Sequence, residues 1–271
     1  MKSLTLNFGK NQLYTSKRMQ QYPMLGQLTS KILGYTNLGN YARAIVFKKI
    51  VRKLPTNTFT NILDLGCGYG EYSFMMADAI QNSTVIALDI DKQRANTVNK
   101  TIGDSQINNV QTFVGKIEEL PACKFDFIFS VDVFEHILEP EMPFKEAYNR
   151  LHDGGFLLVK MPNINQRTIF PSKWFSEHQS WLEEEHIGQV LDLKGLENKF
   201  KEQGFEIYHS AYSDGYCSRL GWELAYLGKK KGLITQILSL PIAKLLVQLD
   251  SIFHGNSWGN AIQVVGRKVK K

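Results

Sequence analysis

Ile62-Leu-Asp-Leu-Gly-Cys-Gly-Tyr-Gly-Glu71 is the stretch that decides the fold. A short apolar run ends in three glycines spaced two apart, and a helical pattern over Tyr72–Gln81 follows. The spacing predicts a buried strand handing over to a helix through a sharp turn. Without a Cβ, the glycines let the backbone bend and approach a ligand closely. The helix beyond presents free N–H groups and the positive end of its dipole to an anionic group. Nucleotide sites and purely structural turns share this much.

Outward from that turn, short apolar runs alternate with helical periods. Strands are predicted at Asn61–Leu65, Thr84–Asp89, Val110–Val114, Phe125–Ser130 and Phe156–Met161. Helical patterns fall at Lys92–Ile102 and Met142–Leu151, with a short one near Lys116–Leu120. A helix over Leu193–Gln203, a strand over Gly204–His209 and a last strand over Ala261–Arg267 follow. Near-continuous apolar strands alternating with helices imply a parallel sheet covered on both faces. The fold expected is α/β: a doubly wound, Rossmann-like, mostly parallel sheet with an antiparallel last strand. Residues 1–55 are read as an N-terminal helical cap and 215–258 as a helical insert, leaving 56–214 and 259–271 as the ligand-binding domain. In the cap, Ile45, Ile50 and Leu54 with Val46 and Val51 fall near one helical stripe before Pro55.

Asp89 ends the second strand nineteen residues after Gly70. An acid there can accept the two ribose hydroxyls of an adenosine group. A dinucleotide enzyme would space its glycines G-x-G-x-x-G to seat a pyrophosphate. Here the spacing is G-x-G-x-G with Asp64 two residues ahead, which suits a ligand bearing an ammonium and a carboxylate. The methionine end of S-adenosylmethionine is such a ligand.

The runs ILDLGCGYGEYS, VIALDID, VQTFVGKIEELP, FDFIFSVDVFEHILEP and HDGGFLLVKMPN resemble, in this order, the class I methyltransferases that act on small molecules and on lipid- or sugar-linked acceptors. The similarity covers roughly residues 60 to 210, and it is specific for cofactor and fold rather than for acceptor. It implies S-adenosylmethionine as cofactor and S-adenosylhomocysteine as product. It implies that Asp64, Gly66, Cys67, Gly68 and Gly70 surround the methionine moiety, that Asp89 binds the ribose and that Ile90 packs on the adenine. Asp132 and Val133 would line the cofactor near its sulfonium, and Arg43, in Asn40-Tyr-Ala-Arg43, would reach its carboxylate. One position departs from the pattern: relatives commonly carry an aspartate where this chain has Lys116, an ammonium that only donates. The adenine contact then passes to the backbone around Ile117 or to Glu118.

Methyl transfer from an activated sulfonium asks chiefly for an acceptor held in line in a dry site. A hydroxyl acceptor also needs a proton acceptor, and histidine is the usual one near neutral pH. His136, just after the fourth strand, is the first candidate; a role only in packing the loop is the alternative. His186, in Trp174–Ile187, is the second, since relatives place an acceptor-facing loop there. His178 and His186 are eight apart with no cysteine nearby, so no metal site is expected.

Charge is distributed unevenly: residues 1–53 carry +10, 54–227 carry −11 and 228–271 carry +7, within a total of +6. The basic ends, rather than the core, are therefore expected to meet anything anionic. Leu233–Leu249 is strongly apolar and follows Lys229-Lys-Lys231, but Pro241, Lys244 and two glutamines argue against a bilayer span. It is expected to rest on an anionic membrane surface, to cover the sheet or to form a homodimer contact. Three widely spaced cysteines and no leader-like N-terminus point to a reducing, cytoplasmic setting, with peripheral attachment to the inner membrane face as the variant. A nucleic-acid methyltransferase is disfavoured, because the loop after the fourth strand reads Asp132-Val-Phe-Glu135 and not Asn/Asp-Pro-Pro-Tyr/Phe. A non-catalytic cofactor-binding protein is the remaining alternative.

Overall fold

Asn61–Leu65 (β1) is buried at four of its five positions, which is why it reads as an unbroken apolar run. It lies third in a seven-stranded sheet, order β3-β2-β1-β4-β5-β7-β6. The other strands are Thr84–Asp89 (β2), Val110–Val114 (β3), Phe125–Val131 (β4), Leu151–Pro162 (β5), Phe205–Ser213 (β6) and Ala261–Lys268 (β7). Ile62 pairs in parallel with Val85 on one side and with Phe127 on the other. β7 runs antiparallel to both of its neighbours, β5 and β6. The mostly parallel sheet with an antiparallel last strand is therefore as expected. The computed structural model describes residues 34–269 apart from 36, 106, 178–190 and 253–256, together with Met24 and Ile32.

Successive residues of a strand face opposite sides of a sheet, and β4 shows the result. Phe127 and Phe129 join one core with Phe47, Met75, Met76 and Val98. Ile128 joins the opposite core with Phe134, Phe144, Leu157 and Phe200. The helices that cover the first face are Leu38–Val51 (α1), Glu71–Ala79 (α2) and Lys92–Ser105 (α3); Phe144–Arg150 (α4) and Leu193–Glu202 (α5) cover the second.

α1 starts two residues before the sequence pattern does, because the Asn37 side chain caps it by accepting from Gly39 and Asn40 N–H. Its buried stripe is Leu38, Ala42, Ala44, Phe47, Ile50 and Val51, whereas Ile45 and Val46 are only half-buried. Phe47 is the anchor that periodicity passed over: its ring lies 4.7 Å from Tyr72 and 5.0 Å from Phe129. β5 begins at Leu151, five residues before the apolar run suggested, since Leu151 already pairs with Phe125 across His152–Gly155.

The insert is a helical hairpin, Tyr216–Lys231 (α6) and Leu233–Ile252 (α7). A Cβ at Gly221 would stand 2.8 Å from the Ala243 carbonyl, so glycine is what lets the two helices pack so closely. Leu240, Ala243 and Val247 of α7 bury against Leu38 and Ala42 of α1. The insert and the N-terminal helix thus share one small core, which the sequence had divided between two separate additions. No helix among the described residues is long and apolar enough to cross a membrane.

Candidate cofactor and acceptor site

The glycine turn is fixed to the neighbouring strand: Gly66 and Cys67 N–H both donate to the Leu88 carbonyl, at 2.9 and 2.8 Å. Gly66 (φ 81°) and Gly68 (φ 55°) take the left-handed backbone that side chains resist. A Cβ at Gly66 would meet Val133 at 2.5 Å, while at Gly68 nothing stands within 4 Å. Gly68 is thus where the turn opens into space, as a close backbone approach to a ligand requires. Gly70 differs in role from the other two. It forms the left-handed N-cap of α2 and packs on Phe74 and Val98, behind the cleft wall.

That space is a cleft of about 1150 Å³ across the carboxyl ends of β1, β2 and β4. Asp64, Gly66, Cys67 and Gly68 form one wall, with Asp89 and Ile90 next to them. Ile117 and Glu118 lie farther along, and Asp132, Val133, Arg43 and His136 close the other end. Asp89 accepts from Gly68 N–H at 2.7 Å through one oxygen and from Asp91 N–H at 2.9 Å through the other. A carboxylate has about four lone-pair positions, so each oxygen keeps one for a hydroxyl. Ile90 is 74% exposed and lines the cleft beside Asp89. Lys116 also lines the cleft, its Nζ 3.7 Å from the Glu141 carboxylate. The residues fit S-adenosylmethionine: an open glycine cradle, an anchored diol acceptor, an apolar ledge and carboxylates for the cationic end.

Two of those carboxyls are protonatable near neutrality. Burial pushes Asp64 up to about 7 against the Ser73 hydroxyl at 2.6 Å, with Asp89 adding to the rise. Burial also pushes Glu71 up to about 7, although the Tyr35 hydroxyl and Arg43 favour its charged form. Cys67 is driven the same way, far above the ordinary thiol range, so it packs rather than reacts.

Arg43 bridges the cleft to a second cavity. Its Nη1 donates to Asp132 at 2.8 Å and its Nη2 to Asn40 at 2.8 Å. Asp132 takes Lys160 Nζ on its other oxygen at 3.0 Å, and Lys160 stands 4.0 Å from Asp214. Burial opposes charge on Asp132, but Lys160 and Arg43 together hold it below the ordinary carboxylate range. Asp132 and Asp214 each follow the last residue of a strand and are the described non-glycine residues with positive φ, 54° and 55°. Such backbone costs on the order of 1–2 kcal/mol and concentrates at functional sites.

The second cavity, about 410 Å³, lies between these charges and the hairpin. Lys160, Asp214 and Glu135 floor it, and Arg219, Trp222 and Val247 wall it. Arg219 is held by Glu223 at 2.5 Å and stacks over Trp222 at 4.6 Å. Glu223 also accepts from Ile169 and Phe170 N–H, tying the loop after β5 to α6. Burial and the nearby Asp132 push Glu135 up to about 8, and its Oε2 has no partner among the described residues. Asp214 Oδ1 is likewise unpartnered. His136 is exposed and lines both cavities. His178 and His186 lie outside the described residues.

Sequence reasoning missed Lys160, Asp214 and Glu71 altogether and treated Glu135 only as a companion of His136. A buried lysine inside an apolar strand, Leu157-Leu-Val-Lys-Met161, was the signal available for the first.

Residues 38–210 match a family described as methyltransferase domain. The chain belongs to that family. The methyltransferase is 23% identical to a malonyl-(acyl-carrier protein) O-methyltransferase of Marinomonas sp. over 174 residues, 63% of this chain and 62% of that protein. It is 25% identical to a demethylmenaquinone methyltransferase of Listeria monocytogenes over 189 residues, 62% of this chain and 79% of that protein. The chain spans less than two thirds of the length of the first of these relatives. Among solved structures it is similar to a Haemonchus contortus phosphoethanolamine N-methyltransferase bound to S-adenosylhomocysteine, with TM-score 0.60, 20% identity, and coverage of 85% of this chain and 53% of that one. A putative sarcosine dimethylglycine methyltransferase from Galdieria sulphuraria has TM-score 0.55, 16% identity, and coverage of 85% and 86%. These likenesses establish the fold of the chain.

Proposed function

We propose that this methyltransferase moves a methyl group from S-adenosylmethionine to an oxygen of a small-molecule or lipid- or sugar-linked acceptor held in the smaller cavity. The observation that carries the reading is the wall the two cavities share: Arg43, Asp132 and His136 line both. When bound, the cofactor supplies a methyl group already activated by its sulfonium charge. The chain then has to bind, orient and keep out water.

Asp89 and the glycine turn anchor the nucleoside end, and Arg43, oriented by Asp132 and Asn40, meets the carboxylate. Asp64 and Glu71 take the ammonium end. In the smaller cavity, charged walls of both signs are already paired, which favours a polar acceptor without a large net charge. Glu135 and Asp214 line that cavity and give it two carboxyls toward which a donor on the acceptor can be turned. His136, exposed and lining both cavities, is the group placed to take the hydroxyl proton. Glu135 is the alternative once it ionises, at about pH 8. His186 remains a candidate from the acceptor-facing loop. A peripheral contact with anionic membrane, or a homodimer, belongs to the same reading, in a cytoplasmic setting.

Calorimetry with S-adenosylhomocysteine and with NADH tests the cofactor half. Binding of the first and silence of the second is expected; the reverse would end the proposal. For the acceptor half, methyl transfer from radiolabelled cofactor to hydroxyl-bearing extracts should stop in Glu135→Gln or His136→Ala, while homocysteine-product binding persists.

A further inference from the structure

α7 has two faces of opposite use. Leu240, Ala243 and Val247 turn inward to α1, and Val247 also walls the smaller cavity. Ile234, Leu238, Ile242, Leu245, Leu249 and Ile252 turn outward, between 37% and 76% exposed. Their spacing of three to four residues places them on one side of the helix, a stripe about 27 Å long at 1.5 Å per residue. A contiguous apolar surface of this extent marks an interaction face rather than ordinary surface.

Charge states what the face meets. The hairpin, residues 216–252, carries only two acids, Glu223 and Asp250, and both are buried. Glu223 is neutralised by Arg219, and Asp250 accepts from Gly215 and Cys217 N–H. Lys229 and Lys231 are exposed at the end of α6, next to the start of the stripe. At the other end, Lys49 of α1 donates to the Ser251 carbonyl at 2.7 Å. The hairpin therefore offers aliphatic side chains bracketed by cations and no exposed carboxylate of its own. The neighbouring Glu177 is paired with Lys230 at 3.1 Å, which leaves Lys229 and Lys231 for the partner. A second copy of the same face would bring like charge to like charge. A bilayer with anionic headgroups complements both features.

We propose that α7 lies flat in the headgroup layer of an anionic phospholipid bilayer, with its outer stripe in the acyl boundary and Lys229 and Lys231 among the phosphates. This rests on the reading of a membrane-contacting methyltransferase and deepens it by assigning the contact to one face. The same helix forms a wall of the acceptor cavity, so the bilayer would begin one helix away from the place where the acceptor is held.

Flotation of the full chain with vesicles of phosphatidylglycerol, and separately of phosphatidylcholine, tests the assignment. Binding to the first at low salt is expected, with little to the second. Leu238→Glu with Ile242→Glu should cut flotation about tenfold or more, and Lys229→Gln with Lys231→Gln should cut it by a similar factor and flatten its salt dependence. Both pairs lie outside the cofactor cleft, so S-adenosylhomocysteine affinity should stay unchanged, which also reports that the variants fold. Absence of wild-type flotation, or flotation indifferent to both pairs, would overturn the proposal. So would light scattering that shows a dimer split by Leu238→Glu with Ile242→Glu in the absence of lipid. Cofactor binding without flotation sinks the docking face alone; flotation without cofactor binding sinks the methyltransferase reading and leaves the face.

Discussion

Lys160 Nζ stands 3.0 Å from Oδ1 of Asp132, with only 3% of the lysine side chain exposed. A buried ammonium persists only where charge and hydrogen bonds compensate its lost hydration. Asp132 supplies that compensation and, through its second oxygen, orients Arg43 over the cofactor cleft. One ion pair thus serves both cavities.

Replacing Lys160 with Met should therefore be costly despite a similar volume. Asp214 loses its neighbouring cation and Asp132 keeps only Arg43, a situation that typically costs about 3–5 kcal/mol. Urea unfolding measures this, and a loss below about 1 kcal/mol would mean that the pair behaves like an exposed one.

Gly66→Ala and Gly68→Ala should separate stability from binding. Both force alanine into a left-handed backbone, but only at position 66 does the new methyl collide, with Val133 at 2.5 Å. Gly66→Ala is expected to lower thermal stability more than Gly68→Ala does. Gly68→Ala should mainly weaken S-adenosylhomocysteine binding, because its methyl enters the cleft. Equal stability losses would refute that division.

Asp89→Ala should weaken cofactor binding by more than about tenfold, the loss of a charged acceptor shared by two hydroxyls. Asp89 also holds Gly68 and Asp91 N–H, so Asp89→Asn should retain part of the affinity. Calorimetry that finds alanine and wild type alike would remove the ribose assignment.

Cofactor binding should tighten as pH rises from about 6 to 8. Asp64 and Glu71 sit near 7, and a cationic ligand beside them lowers both, so protons leave as the ligand enters. Calorimetry in two buffers of different ionisation enthalpy counts those protons. No release at pH 6.5 would sink the assignment of these carboxyls to the ammonium end.

Stability should run the other way. Glu135 titrates near 8 when folded against 4.5 ordinarily, so between those values the folded chain holds a proton that the unfolded chain has lost. The contribution of this group to stability is therefore full below about 4.5 and declines as pH rises to 8, by on the order of a few kcal/mol. Burial is the main cause of the rise and Asp132 adds to it, while Lys160 and Arg43 oppose it. In Glu135→Gln the thermal melting profile over this range should be flatter; an identical slope would mean that the carboxyl is already ionised.

The sheet was legible because its central strands β1, β4 and β5 are buried on both faces and the covering helices on one, so apolar runs and periods carried the order. The cofactor wall was legible because Asp64, the glycines and Asp89 lie within one strand-helix-strand unit, where spacing is geometry. The ion-pair network was not. Arg43 and Asp132 were each expected at the cofactor, but their link to one another and to Lys160 and Asp214 joins four segments far apart in the chain, and only the strand order brings them together. A lysine read singly inside β5 looks like an error in an apolar run. The shared core of α1 and α7 escaped for the same reason: Leu38 and Val247 have no relationship in sequence.

The left-handed backbone at Asp132 and Asp214 makes each position doubly selective. Conformation admits glycine, asparagine or aspartate there, and charge admits aspartate or glutamate; only aspartate satisfies both. The Asp-to-Glu exchange, ordinarily the mildest of substitutions, is thus the severe one at these two sites. That makes the pair a way to sort relatives. A homologue with aspartate at both positions keeps this floor, and one with glutamate at either has rebuilt its backbone and, with it, what it accepts.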